Sequence, residues 1–355
     1  MKKISLYILM LLLLSVVLIG CSTSDSEEEN TSDNNSDETT SEETTENETD
    51  AEYPITIEHA LGEAVIESKP ERIATIQWAN HDIVLALGVE PVGFSAANFG
   101  VEDDSGLLPW TTEKLEELGI ENPNIYQDTD GLDFEAIADS NPDVILAAYS
   151  GITEEDYEIL TQIAPVVAYP TSPWTTTWRE QVLLNAEGMG MKEDGEQLIA
   201  ETEQLIEDKV AEYPEIVGKK IVWVNFSATD MSGLHLYTPT DTRVSFLQEL
   251  GMEYPENIIE MIEDETAYSL NLSSENADVL NEADVIIGYG DESLYEAVKA
   301  DSRLGQITAI ERGSVAFIGG NSTLAASGTP NPLSIAYTID DYLDIIADAV
   351  SKIDE

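Results

Sequence analysis

The sequence predicts an α/β fold with two parallel-type sheets, and three observations lead to this prediction. After residue 53, the chain of 355 residues repeats one unit: a short β-branched apolar run, a turn and a stretch of helical periodicity. The runs are apolar throughout, as expected for strands that helices cover on both faces. One long helical stretch separates an earlier set of runs from a later set, which indicates two sheets joined by a helix.

The chain begins with a segment that predicts a lipoprotein signal peptide over residues 1–20. A short cationic end, Met1 to Lys3, precedes an apolar run from Ile4 to Ile19, which is short for a membrane-spanning helix. The run ends in Leu-Ile-Gly-Cys, which resembles the lipobox of bacterial lipoproteins. We therefore expect cleavage before Cys21 and acylation of its thiol. An uncleaved membrane anchor is the alternative.

Residues 21–52 predict a flexible acidic stalk. From Ser22 to Glu52 there are 13 acidic residues and no Lys or Arg, so the segment cannot form a core and its like charges extend it. The remaining 58 acidic and 13 basic residues give residues 53–355 a net charge of −45. That charge argues against nucleic-acid binding, which requires a basic surface, and it suggests the hypothesis of a saline or alkaline habitat.

The folded part divides into an N-terminal lobe, residues 53–180, and a C-terminal lobe, residues 215–355. The first lobe starts with a β-like opening over residues 53–67. The candidate strands are Ile73–Ile76, Val144–Ala147 and Val166–Tyr169 in the first lobe, and Ile221–Asn225, Val285–Gly288 and Val315–Ile318 in the second. Within a connecting segment, residues 181–214, the stretch from Gly195 to Tyr213 has apolar residues at helical spacing and predicts the joining helix. A helix that belongs wholly to the first lobe is the alternative.

Motifs of catalysis are scarce in this sequence. It contains no G-x-S-x-G elbow, no H-E-x-x-H and no P-loop. Cys21 is the only cysteine, which excludes an intramolecular disulfide, and His59, His81 and His235 are spread too widely to predict a metal site. The sequence therefore favours a binding protein, with no enzymatic role, no resident cofactor and no directly bound metal.

Aromatic residues cluster after the predicted strands. They are Trp78, Tyr149, Trp174 and Trp178 in the first lobe, and Tyr237 and Tyr289 in the second. Open α/β sheets bind ligands beyond the carboxyl ends of their strands. These aromatic residues together predict a ligand cleft, although packing in the core is the alternative for each Trp taken alone.

Several short motifs follow one another along the folded part. They are Glu71-Arg72-Ile73 leading to Trp78, Leu85 to Gly93, Asp133 to Ile137 with Asn141 to Leu146, Ile163 to Tyr169, and Ser334 to Tyr342. By the order and spacing of these motifs, residues 55–350 resemble the class of periplasmic binding proteins that serves ABC importers of iron-siderophores, heme and cobalamin.

The resemblance implies two Rossmann-like lobes with mostly parallel sheets, joined by one long rigid helix around a shallow cleft. It also implies delivery of the ligand to an ABC permease dimer with its cytoplasmic ATPase, where a glutamate of each lobe docks onto permease arginines. The matching positions are Glu135, in Asp133-Phe134-Glu135-Ala136-Ile137, and Glu275, in Leu272-Ser273-Ser274-Glu275. Ordinary solvated glutamates are the alternative. We expect a monomer.

Within that class, residues 173–179 and 237–243 look most like the iron-siderophore branch, so the expected ligand is an Fe(III)-siderophore. The predicted ligand-binding residues are Trp78, Tyr149, Trp174, Trp178, Arg179, Tyr237, Arg243 and Tyr289. Because a ferric siderophore often carries anionic catecholate or carboxylate oxygens, we expect Arg179 and Arg243 to provide local positive charge. For Arg179, an ion pair with a helix carboxylate is the alternative.

Two other functions remain open from the sequence. Heme or cobalamin capture suits the same fold, with Tyr149, Tyr237 or Tyr289 as an axial ligand of heme. A lipid-anchored surface enzyme or adhesin is the alternative from a different class, but no reactive constellation or repeat supports it. A tethered receptor at the outer face of the membrane fits a cell without a periplasm, which suggests a Gram-positive bacterium.

Overall fold

The computed structural model describes residues 51–128 and 131–353. The predicted signal peptide, Cys21 and the stalk up to residue 50 lie outside the described residues. Among the helices that are described, none has both the length and the apolar character needed to cross a bilayer.

The first lobe contains a hairpin, one sheet and four helices. Its strands are β1 (Ile55–His59) and β2 (Gly62–Ile66) in the antiparallel hairpin, then β3 (Ile73–Thr75), β4 (Gly93–Ser95), β5 (Ile125–Tyr126), β6 (Val144–Leu146) and β7 (Val166–Val167) in the sheet. Its helices are α1 (Asn80–Ala86), α2 (Pro109–Glu117), α3 (Phe134–Asp139) and α4 (Glu154–Leu160). The sheet is wholly parallel, in the order β5-β4-β3-β6-β7. The order reverses between β3 and β6, and ligands bind open α/β sheets at such a switch point.

Two helices connect the sheets, α5 (Trp178–Gly188) and α6 (Lys192–Val210). A capping box between Thr177 and Glu180 starts α5, and Glu193 and Asp194 stabilise the positive end of the α6 dipole. The predicted joining helix is confirmed, although α6 begins and ends three residues earlier than expected.

The second lobe contains another five-stranded sheet. Its strands are β8 (Ile221–Asn225), β9 (Gly233–Tyr237), β10 (Ser269–Ser273), β11 (Val285–Tyr289) and β12 (Val315–Ile318). Its helices are α7 (Thr242–Glu249), α8 (Glu256–Ile259), α9 (Glu292–Ala300), α10 (Thr308–Arg312), α11 (Thr323–Ala326) and α12 (Pro332–Ser351), with 3₁₀ helices at Ser274–Glu282 and Leu304–Gln306. The order is β10-β9-β8-β11-β12; β8, β11 and β12 are parallel, whereas β9 pairs antiparallel with both of its neighbours. The predicted α/β class with mostly parallel sheets is confirmed.

A buried polar contact ties the last helix back to the first lobe. Asn331 caps α12 and donates from Nδ2 to Oδ2 of Asp82 on α1, at 2.9 Å. The same carboxylate accepts hydrogen bonds from Trp110 Nε1 at 2.8 Å and Thr111 Oγ1 at 2.7 Å on α2. Because separating the lobes would remove the Asn331 donor from a buried carboxylate and leave the buried amide without this acceptor, the contact opposes movement between the lobes.

Candidate functional site

A cleft between the two lobes contains six of the eight predicted ligand-binding residues. It encloses about 290 Å³, near the lower end of the usual range for small-molecule sites. The six residues are Trp78, Tyr149 and Trp174 from the first lobe, and Tyr237, Arg243 and Tyr289 from the second. The structure thus brings together side chains that lie more than two hundred residues apart in the sequence, such as Trp78 and Tyr289.

The first-lobe wall of the cleft is held by the buried side chain of Asn80, at the start of α1. Its Nδ2 donates to the carbonyl oxygens of Ile76 at 2.8 Å and Tyr149 at 3.0 Å, and its Oδ1 accepts from the Tyr149 N–H at 3.2 Å. Gln181 and Asn185 of α5 also donate to Oδ1. One amide therefore fixes the loops that follow β3 and β6, because a buried polar group requires hydrogen-bond partners.

Trp78 and Trp174 are presented by backbone in the left-handed region. Gln77 and Ala79, on either side of Trp78, have φ values of 62° and 59°, and Trp174 has 63°. Residues with a Cβ rarely adopt this conformation, and such strain concentrates at functional sites. The Trp174 indole lies against Gly151, where a Cβ would come within 2.4 Å of the ring nitrogen. Only glycine at this position leaves room for the indole.

The second-lobe wall is centred on Arg243, the second residue of α7. Its guanidinium carbon lies 4.3 Å from the centroid of the Tyr237 ring, and its Nε donates to Tyr289 Oη at 2.9 Å. Nη1 donates to both carboxylate oxygens of Asp241, at 3.0 and 2.8 Å. No described residue accepts a hydrogen bond from Nη2. The guanidinium is therefore fixed on one side and keeps donors for a ligand on the other.

Burial and neighbouring charges decide the ionisation of this wall. Burial opposes the charge of Arg243, but Tyr289 and Asp241 hold its pKa well above the ordinary value. Burial raises the pKa of Asp241, and Arg243 acts against that rise. Burial also raises the pKa of Tyr149 to about 12. The second-lobe wall therefore contains one ion pair, Arg243 with Asp241, whose opposite charges balance.

The first-lobe wall also contains a carboxylate, Asp128, which is only 8% exposed. Ser95 donates from Oγ to Asp128 Oδ2, and the Gln77 N–H donates to Ser95 Oγ at 2.7 Å. Burial raises the pKa of Asp128. Among the described residues, no Lys, Arg or His forms an ion pair with it.

Trp178 and Arg179 lie outside the cleft, which corrects the expectation that they face the ligand. Trp178 is 2% exposed, and its Nε1 donates to Glu249 Oε2 at 2.9 Å. Arg179 bridges Glu203 of α6 at 2.6 Å and Glu249 of α7 at 2.8 Å. The alternative of an ion pair with helix carboxylates therefore describes Arg179. The reason is that α5 starts at Trp178, so both side chains pack among helices and not in the preceding loop.

The two predicted docking glutamates are exposed on opposite lobes. Glu135 lies in the first turn of α3, whose N-cap is Asp133, and Glu275 lies in the first turn of the 3₁₀ helix after β10, whose N-cap is Ser273. Arg303 contacts Glu275 at 3.3 Å between two exposed side chains. Exposed pairs of this kind contribute little to stability. Each glutamate is thus exposed in the first turn of a helix, and docking stays a prediction.

The sequence did not identify two aromatic residues of the cleft, Phe99 and Tyr268, or most of its polar residues, which are Gln77, Ser95, Asn98, Asp128, Asp241 and Thr329. Asp241 had a recognisable signal, since an Asp directly before a predicted helix is a typical N-cap. Phe99, whose ring lies 5.7 Å from that of Tyr289, had none, because it belongs to a loop after an unpredicted strand. Ser95 and Asp128 also end or follow strands, β4 and β5, that were too short to recognise.

Within residues 51–128 and 131–353, no group of three His, Cys, Asp or Glu side chains has the geometry to hold a metal ion. The three histidines have separate surroundings. His59 contacts Tyr157, His81 stacks on Phe94 and His235 contacts Asn271. The described histidines therefore do not form a cluster.

Comparison with known proteins gives concordant matches. The family model described as "Periplasmic binding protein" matches residues 73–321. The structure is similar to that of PiaA from Streptococcus pneumoniae TIGR4 in complex with ferrichrome, with a TM-score of 0.81 and 48% sequence identity over 84% of this chain and 99% of that chain. Both lobes and the connecting helices are thus shared with this protein.

Two further relatives are more distant. The chain is 25% identical over 265 residues to "Probable siderophore-binding lipoprotein YfiY" of Bacillus subtilis, a match that covers 74% of this chain and 71% of that protein. Staphylococcus aureus SirA, solved in complex with staphyloferrin B, shares the fold with a TM-score of 0.62 and 20% identity over 83% of this chain and 98% of that chain.

Proposed function

The chain belongs to the periplasmic binding protein family, and from this premise we propose that it is a substrate-binding lipoprotein that captures a ferric trihydroxamate siderophore and delivers it to an ABC importer for iron uptake. Support for the ligand class comes from the pneumococcal relative solved with ferrichrome, a compound of this class. The proposal includes no catalytic step, because the ligand already contains the metal and is released unchanged.

The observation that carries the proposal is the charge of the cleft. Arg243 is balanced by Asp241, and Arg179 lies elsewhere, so the cationic cleft expected for an anionic siderophore is replaced by one without net positive charge. A ferric trihydroxamate core is neutral, whereas ferric catecholates carry several negative charges that the acidic protein would repel. A neutral core therefore matches this site better than an anionic one.

The two walls of the cleft contact different parts of the ligand. We assign the free donors of Arg243 Nη2 to oxygens at the rim of the iron centre, where a charge-assisted hydrogen bond is strong. Trp78 and Trp174 offer apolar ring surface for the organic part of the siderophore. Heme ligation by tyrosine is less suited to the site, because the hydroxyls of Tyr237 and Tyr289 accept hydrogen bonds from Asn225 and Arg243. For Tyr149, burial raises the pKa to about 12, which disfavours the phenolate form.

Titration of the purified protein, followed by tryptophan fluorescence, tests the ligand class. The ligands are a neutral ferric trihydroxamate, a ferric catecholate, heme and cobalamin, each at matched ionic strength. We expect quenching with micromolar or tighter affinity only for the trihydroxamate. Saturable binding of heme or cobalamin, with no response to the trihydroxamate, would replace the proposed ligand.

Delivery to the permease is proposed to use Glu135 and Glu275, with Cys21 as the lipid anchor at the outer face of a Gram-positive membrane. Uptake of radioactive iron should fall strongly in the double variant Glu135→Ala/Glu275→Ala, while its affinity for the ligand in solution is unchanged. The matched control is Glu158→Ala/Glu292→Ala, which removes one exposed glutamate from each lobe at other helices. If both double variants lost uptake equally, the loss would result from the change in total charge and not from the loss of docking.

A further inference from the structure

We infer that Asp128 is a specificity-determining residue that favours siderophores carrying a positively charged amine on their organic backbone. This inference rests on the proposed function, and it concerns the part of the ligand that lies away from the iron. It begins from the formal charges of the cleft. Two carboxylates, Asp128 and Asp241, and one guanidinium, that of Arg243, line it. Since Asp241 and Arg243 neutralise each other, the described lining keeps one uncompensated negative charge.

The position of that charge is fixed by hydrogen bonds. The Gln77 N–H donates to Ser95 Oγ, and the Ser95 hydroxyl in turn donates to Asp128 Oδ2. Both neighbours end or follow strands of the first-lobe sheet, so the carboxylate is held on rigid structure. No described side chain donates a hydrogen bond to the other oxygen, Oδ1. Asp128 thus lines the cleft with one carboxylate oxygen that no described side chain engages.

A bound siderophore removes water from the Asp128 carboxylate. With only 8% of its surface exposed, Asp128 is already poorly hydrated, and a ligand above it removes the remaining water. A carboxylate that loses water without gaining a cation or a strong donor is unfavourable. An ammonium group supplies both a charge and three donors, whereas a neutral apolar tail supplies neither. The site therefore discriminates between siderophores with the same iron-binding core but different tails.

The test uses a matched ligand pair. One is a linear ferric trihydroxamate with a free terminal amine, protonated at neutral pH, and the other is the same chelate with that amine acetylated. Acetylation removes the charge and leaves the iron centre unchanged. For the wild-type protein we expect the amine form to bind about tenfold or more tightly, the size of one charge-assisted hydrogen bond. Asparagine has nearly the same shape as aspartate. In Asp128→Asn, the affinities for the amine and acetylated ligands should therefore differ by less than about threefold.

The control variant is Asp208→Asn. Asp208 is exposed on α6, so this substitution removes the same charge outside the cleft. It should keep the wild-type ratio, because salt at about 0.15 M screens charges beyond roughly 8 Å. The acetylated ligand checks folding, since Asp128→Asn should bind it at least as well as the wild-type protein does.

Three results would overturn the inference. They are equal affinity of the wild-type protein for the two ligands, an unchanged ratio in Asp128→Asn, and a parallel loss of both ligands in that variant, which would make Asp128 structural. In each of the first two cases, binding of the trihydroxamates would leave the proposed function intact. Failure of the wild-type protein to bind either ligand would instead contradict the proposed function itself.

Discussion

Two arginines lie at opposite ends of helix α7. Their local surroundings are similar, but only one of them lines the cleft. Arg243 lies at the start of α7, and Arg179 pairs with Glu249 at its end. Each arginine is the second residue of its helix, and each guanidinium carbon lies 4.3 Å from the centroid of an aromatic ring. The side chain of Arg179 is 34% exposed among three helices, whereas that of Arg243 is 18% exposed and lines the cleft.

The difference comes from the origin of their carboxylate partners. Asp241 precedes Arg243 by two residues and also caps α7, so the carboxylate partner of Arg243 is local in sequence. The partners of Arg179, Glu203 and Glu249, belong to other helices and bind it only in the folded protein. With its partner in the preceding turn, Arg243 lines the cleft, whereas Arg179 is held by carboxylates of two helices outside the cleft. The two arginines therefore differ in position: Arg243 lines the cleft, and Arg179 joins helices outside it.

Replacement of Arg243 by alanine should give the largest effect. The variant loses the donors of Nη2 and leaves Asp241 buried without its cation, so affinity for a ferric trihydroxamate should fall about 100-fold. Arg243→Lys keeps the charge but not the planar fork, and should lose about tenfold. Fluorescence titration measures both affinities.

Arg179→Ala is the matched control for this experiment, since it also removes an arginine side chain, the one on α5 that pairs with the end of α7. Comparable losses of affinity in Arg179→Ala and Arg243→Ala would abolish the distinction between the two arginines. A thermal melt of each variant separates loss of binding from loss of folded protein.

Most of the fold could be predicted from the sequence, because strands buried on both faces are apolar throughout. Val144–Leu146 is of this kind, and in Ile221–Asn225 and Val285–Tyr289 only the last residue is less buried. Strands β9 and β10 were missed because they pair antiparallel in β10-β9-β8, and β9 alternates buried Leu234 and Leu236 with more exposed neighbours. Strands β4 and β5 have only three and two residues, which is too short for any periodicity.

The candidate site could be predicted only in part from the sequence. Aromatic residues after strands mark a cleft, but the direction of a side chain at a helix start depends on tertiary packing. The same rule therefore selected Arg243 correctly as part of the cleft and misplaced Arg179. Asn80, which orders the first-lobe wall through five hydrogen bonds, has no sequence signal, because its partners lie up to 105 residues away.

Asp241→Asn should have an intermediate effect that sharpens the comparison. Asparagine keeps an oxygen that can cap α7, but the charge of Arg243 is no longer balanced. The cleft then becomes more positive, so the preference for a neutral trihydroxamate over an anionic ferric catecholate should shrink by about tenfold. Parallel titrations with both ligands measure this ratio. An unchanged ratio would mean that Asp241 does not control the charge of the cleft.

Arg179→Ala should have the smallest effect, and it should act on stability alone. The variant removes a partly exposed ion-pair network and the contact with Trp178, which together stabilise the fold by about 1 kcal/mol. Trp178 Nε1 still donates to Glu249, so the end of α7 remains attached to α5. We expect a lower midpoint in urea denaturation, an unchanged m-value and affinity for the trihydroxamate within about twofold of wild type. If affinity fell tenfold while the urea midpoint stayed constant, Arg179 would act on the ligand through α7, and local pairing would not suffice to tell the two arginines apart.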